Sequence, residues 1–167
     1  DITEKTIDVF KILDNVKEYI DSYDIKLFKI GFVGNGEPLL NFDELKKYVL
    51  YINEYLRTGK IAAYTITNGT IADNDKMIFL KEHNVDIGFS IDGISTIHNK
   101  LRCNSYSKVM DAIERYKYLF GRYPSMNCTV GSDVLNNSDE TISFFKKFNT
   151  RITFSRMIGQ YGISRLD

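Results

Sequence analysis

The 167-residue chain, 43% hydrophobic and 26% charged, is long enough to bury a sizeable core as one domain over residues 1–167. Its 22 Lys and Arg balance 22 Asp and Glu, which argues against a nucleic-acid partner or an anionic membrane surface. There is no apolar run near the ~20 residues that span a bilayer and no basic-then-apolar leader, and Cys103 and Cys128 have neither metal-ligand spacing nor the density of a disulfide framework, so a reduced, cytoplasmic protein is expected.

Residues 4–22 read as an amphipathic helix, with Ile7, Phe10, Leu13, Val16 and Ile20 at three- and four-residue steps. A strand is predicted at about 28–33. Asn41 then reads as an N-cap, with Glu44 as its capping-box partner, opening a helix whose apolar face is Leu45, Tyr48, Val49, Ile52, Tyr55 and Leu56 and which Gly59 ends. Residues 62–67 predict a strand that stops at Asn68-Gly69. A short helix follows near 74–83, with Met77, Ile78 and Leu80 inward and His83 helping to end it. Residues 86–91 predict the next strand, and 93–104 a longer loop. A helix is expected over 106–120 with Val109, Ile113, Tyr116 and Phe120 on one face, then a strand at 126–130. Ser138 is expected to cap a helix with Ile142, Phe145 and Phe148 inward, before a last strand at 152–154. Strands alternating with helices imply right-handed crossovers and a parallel sheet, an α/β fold of about five strands.

The chemistry-bearing residues cluster at the strand ends. Gly34-Asn35-Gly36-Glu37-Pro38-Leu39-Leu40 follows the first strand, Thr67-Asn68-Gly69 ends the second, and Ser90-Ile91-Asp92-Gly93 ends the third. In parallel α/β folds ligands bind at this end of the strands. Several familiar sites are excluded. Gly34-x-Gly36 lacks the third glycine of a dinucleotide fingerprint; no Gly-Lys-Ser/Thr loop, serine elbow, HExxH, paired histidines or CxxC is present. What remains is an acid, an arginine and exposed backbone. Pro38 holds Glu37 extended, and Gly34 and Gly36 let main-chain atoms approach a ligand. Strand-end carbonyls with a carboxylate suit an ammonium group, Asp92 with Ser90 suits hydroxyls such as those of a ribose, and Arg102 suits a carboxylate. Together these describe an amino-acid nucleoside.

Gly34–Asn41, Thr67-Asn68-Gly69-Thr70 and Ser90–Gly93, continuing into Ile97-His98-Asn99-Lys100-Leu101-Arg102, resemble radical S-adenosylmethionine (SAM) enzymes, in particular the peptide- and sulfatase-maturating branch with SPASM-type extensions. The resemblance covers about residues 2–158. It implies a partial (β/α) barrel with helices outside and the first strand missing. It also implies SAM across the strand C-termini, chelating one iron of a [4Fe-4S] cluster, and a 5'-deoxyadenosyl radical that abstracts hydrogen from a peptide or protein substrate. By match, Gly34, Asn35, Gly36, Glu37 and Pro38 would hold the methionyl amino group. Asn68 belongs to the same rim, Ser90 and Asp92 would face the ribose or methionyl end, and Arg102 would pair with the methionyl carboxylate. A reductant protein such as a flavodoxin or ferredoxin is compatible with this reading. The family's CxxxCxxC cluster loop is absent, and Cys103 and Cys128 cannot replace it. The expectation is therefore the core of a longer enzyme, its cluster ligands upstream, with the fragment alone inactive.

The bland alternatives are a tight turn at 34–38, a plain turn at Asn68-Gly69, capping by Ser90 and Asp92, and a surface ion pair for Arg102. His98 reads as a structural hydrogen bonder in the long loop, Cys103 as an ordinary thiol, Cys128 as a small core residue. Two other functions compete: a degenerate SAM-binding module without a cluster, and an unrelated α/β-barrel lyase using Glu37, Asp92 and His98 as acid–base groups.

Overall fold

A computed structural model of the chain describes residues 8–34 and 36–157. The elements run α1 (Val9–Ser22), β1 (Phe28–Phe32), a 3₁₀ turn (Pro38–Asn41), α2 (Phe42–Tyr51), α3 (Asn53–Arg57), β2 (Ile61–Thr67), α4 (Asn74–Glu82), β3 (Val85–Ser90), α5 (Ser95–Leu101), α6 (Tyr106–Phe120), β4 (Ser125–Val130), α7 (Ser132–Asn136), α8 (Ser138–Phe145) and β5 (Ile152–Arg156). The five strands pair in chain order, β1-β2-β3-β4-β5, and every pair is parallel. The sheet curls into a half-barrel, as the resemblance implies.

Alternation along the strands makes two different faces. In β2, Ile61, Ala63, Thr65 and Thr67 are buried while Ala62 and Tyr64 are exposed. In β3, Val85, Ile87 and Phe89 are buried, and in β4 Met126 and Cys128. The buried set is the outer, helix-covered face. Val49 of α2, Met77 and Leu80 of α4, and Val109, Ala112, Ile113 and Tyr116 of α6 belong to the same core. Phe89, fully buried, meets Tyr116 edge-on with ring centroids 6.1 Å apart. Each such side chain contributes about 1.5–3 kcal/mol by leaving water, which makes this face the main source of stability.

Several predicted elements change in detail. Residues 4–7 of the expected first helix, Ile7 included, lie outside the described residues; the described helix is capped by Asp8, whose carboxylate accepts from the Lys11 amide at 3.1 Å. The capping box at Asn41 and Glu44 does not form. Asn41 ends the 3₁₀ turn and makes no side-chain cap, and the Glu44 carboxylate accepts from the Tyr48 hydroxyl at 3.1 Å. Glu37 caps instead, one turn earlier, with Pro38 at the first helical position, where its missing N–H is harmless. The single helix expected after Asn41 breaks at Ile52 (φ −107°, ψ 12°), a fully buried residue, and resumes as α3. The loop expected at 93–104 contains α5, and α7 precedes a last helix that begins at Ser138, so Ser138 is its first residue and Asn137 holds the cap position. Ile142 is 47% exposed rather than inward, and Phe144 takes the core place. No helix among the described residues is long and apolar enough to cross a membrane.

Replacing Phe89 with Ala is expected to cost about 3–5 kcal/mol in equilibrium urea unfolding. Tyr118→Ala, at a side chain 90% exposed, is expected to stay within about 0.5 kcal/mol of the parent.

Candidate functional site

Parallel pairing puts the loops after β1, β2, β3 and β4 on one rim. Glu37 joins the first two. Its Oε1 accepts from the Thr67 hydroxyl at 2.6 Å and the Leu39 amide at 3.1 Å, and its Oε2 accepts from the Asn68 amide at 2.7 Å. A carboxylate has about four acceptor sites, so three are spent on positioning the β1 and β2 loops. Asn68 closes its own turn: Oδ1 accepts from the Thr70 amide at 2.9 Å and the Thr70 hydroxyl at 2.7 Å. Gly69 (φ +77°) sits over Phe89, where an added Cβ would come within 3.0 Å of the ring. Gly34 and Gly36 are exposed, and nothing lies within 4 Å of where a Cβ would stand at either. The backbone at Gly34 and Gly36 is open to solvent. Asn35 lies outside the described residues.

The second cluster joins β3 to β4. Asp92 is 1% exposed. Its carboxylate accepts from Arg102 Nε and, at 3.2 Å, from Arg102 Nη2, and Oδ1 also accepts from the Thr129 amide at 2.7 Å. Arg102 Nη2 further donates to the Thr129 hydroxyl at 3.1 Å. Among the described residues the Asp92 carboxylate is thus held by Arg102 and the Thr129 amide. Arg102, its side chain 28% exposed, is no surface ion pair; its guanidinium is seated by a buried acid. Ser90 is half-buried, and among the described residues its hydroxyl makes no hydrogen bond. His98 is fully buried beside this cluster, on the helix α5 that sequence reasoning read as loop. His83 ends α4, its Nδ1 2.8 Å from the Phe79 carbonyl.

Below the rim the inner face is polar. A cleft of about 560 Å³ is lined by Lys29, Tyr64, Asp86, Gly88, Ser125, Asn127, Arg151, Thr153 and Ser155, among others. Closed α/β barrels fill this space with branched apolar side chains. Here glycines make room for polar groups: a Cβ at Gly31 would stand 2.7 Å from the Tyr64 ring, and one at Gly88 2.9 Å from the Asn127 amide nitrogen. The signal was in the sequence, as small and polar residues alternating with apolar ones through β3 to β5.

Among the described residues no group of three His, Cys, Asp or Glu side chains could hold a metal ion. Cys128 is fully buried and its thiol is pushed up to about 12, chiefly by desolvation. Cys103 is exposed and stands apart from it. A [4Fe-4S] cluster therefore has no ligand set in residues 8–34 and 36–157.

The chain resembles known proteins in sequence and in fold. The family model described as the Radical SAM superfamily matches residues 4–148. A "Cysteine-type anaerobic sulfatase-maturating enzyme" from Clostridium novyi (strain NT) is 31% identical over 130 residues, 72% of this chain and 34% of that protein. A "Probable dual-specificity RNA methyltransferase" from Staphylococcus carnosus (strain TM300) is 28% identical over 109 residues, 61% of this chain and 30% of that protein. The structure described as "Native anSMEcpe with bound AdoMet and Cp18Cys peptide" shares the fold with a TM-score of 0.72 at 24% identity, covering 89% of this chain and 43% of that one. The chain spans about a third of the curated relatives named here and under half of that solved structure.

Two outcomes test the site as built. Arg102→Met, which strands the Asp92 charge in the interior, is expected to cost about 3–5 kcal/mol in urea unfolding, and adding Asp92→Asn to recover part of that loss. Iodoacetamide on the native chain is expected to label Cys103 and spare Cys128, read by peptide mass spectrometry.

Proposed function

Since the chain belongs to the Radical SAM superfamily, we propose that it is the SAM-binding core of an enzyme that modifies a peptide or protein. The observation that carries this reading is the seating of Arg102. A guanidinium aligned by a buried carboxylate and by Thr129, at the C-terminal rim of a parallel sheet, is a ready partner for the carboxylate of an amino-acid ligand. Gly34, Gly36 and the fourth acceptor site of Glu37 suit the ammonium end, with Pro38 opening the 3₁₀ turn beside them. Ser90 and Asn68 offer hydroxyl and amide groups to the ribose side. Asp92 serves the ligand through Arg102.

Bound SAM supplies hydrogen-atom abstraction once it has been reduced by one electron. The described residues at the rim would bind and orient it; the iron–sulfur cluster that such reduction needs must be held by other residues.

The substrate class follows from the cleft. Tyr64, Asn127, Thr153 and Ser155 present side-chain donors and acceptors that bond no described residue, and these suit the amides of a polypeptide. The name of the sulfatase-maturating relative supports a protein substrate. The RNA-methyltransferase relative suggests the other option, which the zero net charge of this chain does not favour.

The test is SAM binding by the full-length protein after anaerobic reconstitution with iron and sulfide. Arg102→Met is expected to weaken SAM about 10- to 100-fold in equilibrium dialysis, about 1.4–2.8 kcal/mol, while Lys117→Met, remote from the rim, leaves it unchanged. Equal affinity in wild type and Arg102→Met would remove the carboxylate from Arg102 and with it this reading.

A further inference from the structure

We propose that His98 is a positioning residue for Arg102, and that it holds the guanidinium in register only while its imidazole is neutral. The argument is a closed circuit of hydrogen bonds. The Asp92 amide donates to His98 Nδ1 at 3.2 Å, so Nδ1 carries no proton. A neutral ring then has its proton on Nε2, which faces Ser105 Oγ at 3.0 Å. The Ser105 hydroxyl in turn donates to the Arg102 carbonyl at 2.7 Å. Arg102 closes the ring by donating from its guanidinium to the Asp92 carboxylate. Each proton has one acceptor, and all the bonds run in one direction.

The backbone between Arg102 and Ser105 is bent to allow this. Cys103 (φ +48°) and Asn104 (φ +56°) both lie in the left-handed region, which Asn tolerates and Cys adopts at a cost. Two such residues in succession persist only where surrounding contacts over-determine them. The turn brings Ser105 back to the imidazole, and the Arg102 amide also donates to the His98 carbonyl at 2.8 Å.

The charged or titratable groups facing the imidazole are Asp92 and Arg102 from the loop ends and Tyr106 from α6, its ring edge-on with centroids 5.8 Å apart. Burial lowers the His98 pKa and raises that of Tyr106, so both are neutral near pH 7; Asp92 opposes the shift of His98 and Arg102 adds to it. Protonating Nδ1 would set two N–H groups against each other where one bond stood, and the circuit would open. The sign follows: with a folded pKa below the unfolded one of about 6.5, the bond contributes fully above that pH and is lost as pH falls through the folded value.

The functional part rests on the SAM reading; the positioning itself does not, and the experiment separates them. Long-range proton–nitrogen spectra of the ¹⁵N-labelled chain are expected to show His98 as the Nε2–H tautomer at pH 7.5. The Arg102 Nε–H signal is expected to be sharp there, to fade reversibly on acidification, and to be lost at every pH in His98→Ala. His98→Asn keeps an acceptor for the Asp92 amide and cannot titrate, so it should retain the signal and lose the acid transition; it also carries the test if His98→Ala fails to fold. An Nδ1–H or charged ring at pH 7.5, or a wild-type acid transition in His98→Asn, would overturn the proposal. In reconstituted full-length protein, SAM affinity is expected to fall about tenfold in His98→Ala and to recover in His98→Asn. Failure of the wild type to bind SAM would count against the SAM reading alone, and the spectra would still decide the positioning.

Discussion

In a sheet whose neighbouring strands all pair in parallel, every strand ends at the same side, and the chain must cross back over one face before it can pair again. That constraint organises the whole molecule. The crossovers cover the outer face with helices and bury the apolar half of each strand. Loops that are 30 to 37 residues apart in sequence come within hydrogen-bond reach, as Glu37 does of Thr67 and Asn68, and Asp92 of Thr129. Each carboxylate takes at least one partner from the neighbouring strand's segment.

The two acids do different work. Glu37 is half-buried and ties two loops together through neutral donors. Asp92 is closed off from water and takes a guanidinium as its partner. An isolated charge at that depth would be costly, so the acid and the arginine are best understood as one unit. The arrangement fixes the direction of a cation rather than adding greatly to stability, which comes from the apolar outer face.

Much of this was legible in the residues. The helix Tyr106–Phe120 follows from its three- and four-residue apolar steps, and the strands from short apolar runs closed by Asn-Gly and Asp-Gly. Helix α5 was not legible: seven residues carry too little periodicity to stand out, and its two buried members, Ile97 and His98, do not make a stripe. The capping box at Asn41 failed because Glu37 opened the turn earlier, using a carboxylate that local pattern had assigned to a ligand. The seating of Arg102 by Asp92 had only a weak trace, two opposite charges ten positions apart. Its geometry depends on α5, so missing the helix hid the pair. The polar inner wall was visible in the alternation of β3 to β5, but periodicity reports only that two faces differ, not that one of them is concave.

Gly31 and Gly88 make the bore and the rim separable. The width of the cleft is set by side chains that are absent, leaving space for Tyr64 and Asn127 to lie across the wall, while the rim is set by charged groups above it. One methyl group added at either glycine would crowd its neighbour and change the calibre of the channel without altering a single charge at the mouth. A scaffold built this way can reshape its cleft in small mutational steps while the charged groups at the rim keep their places.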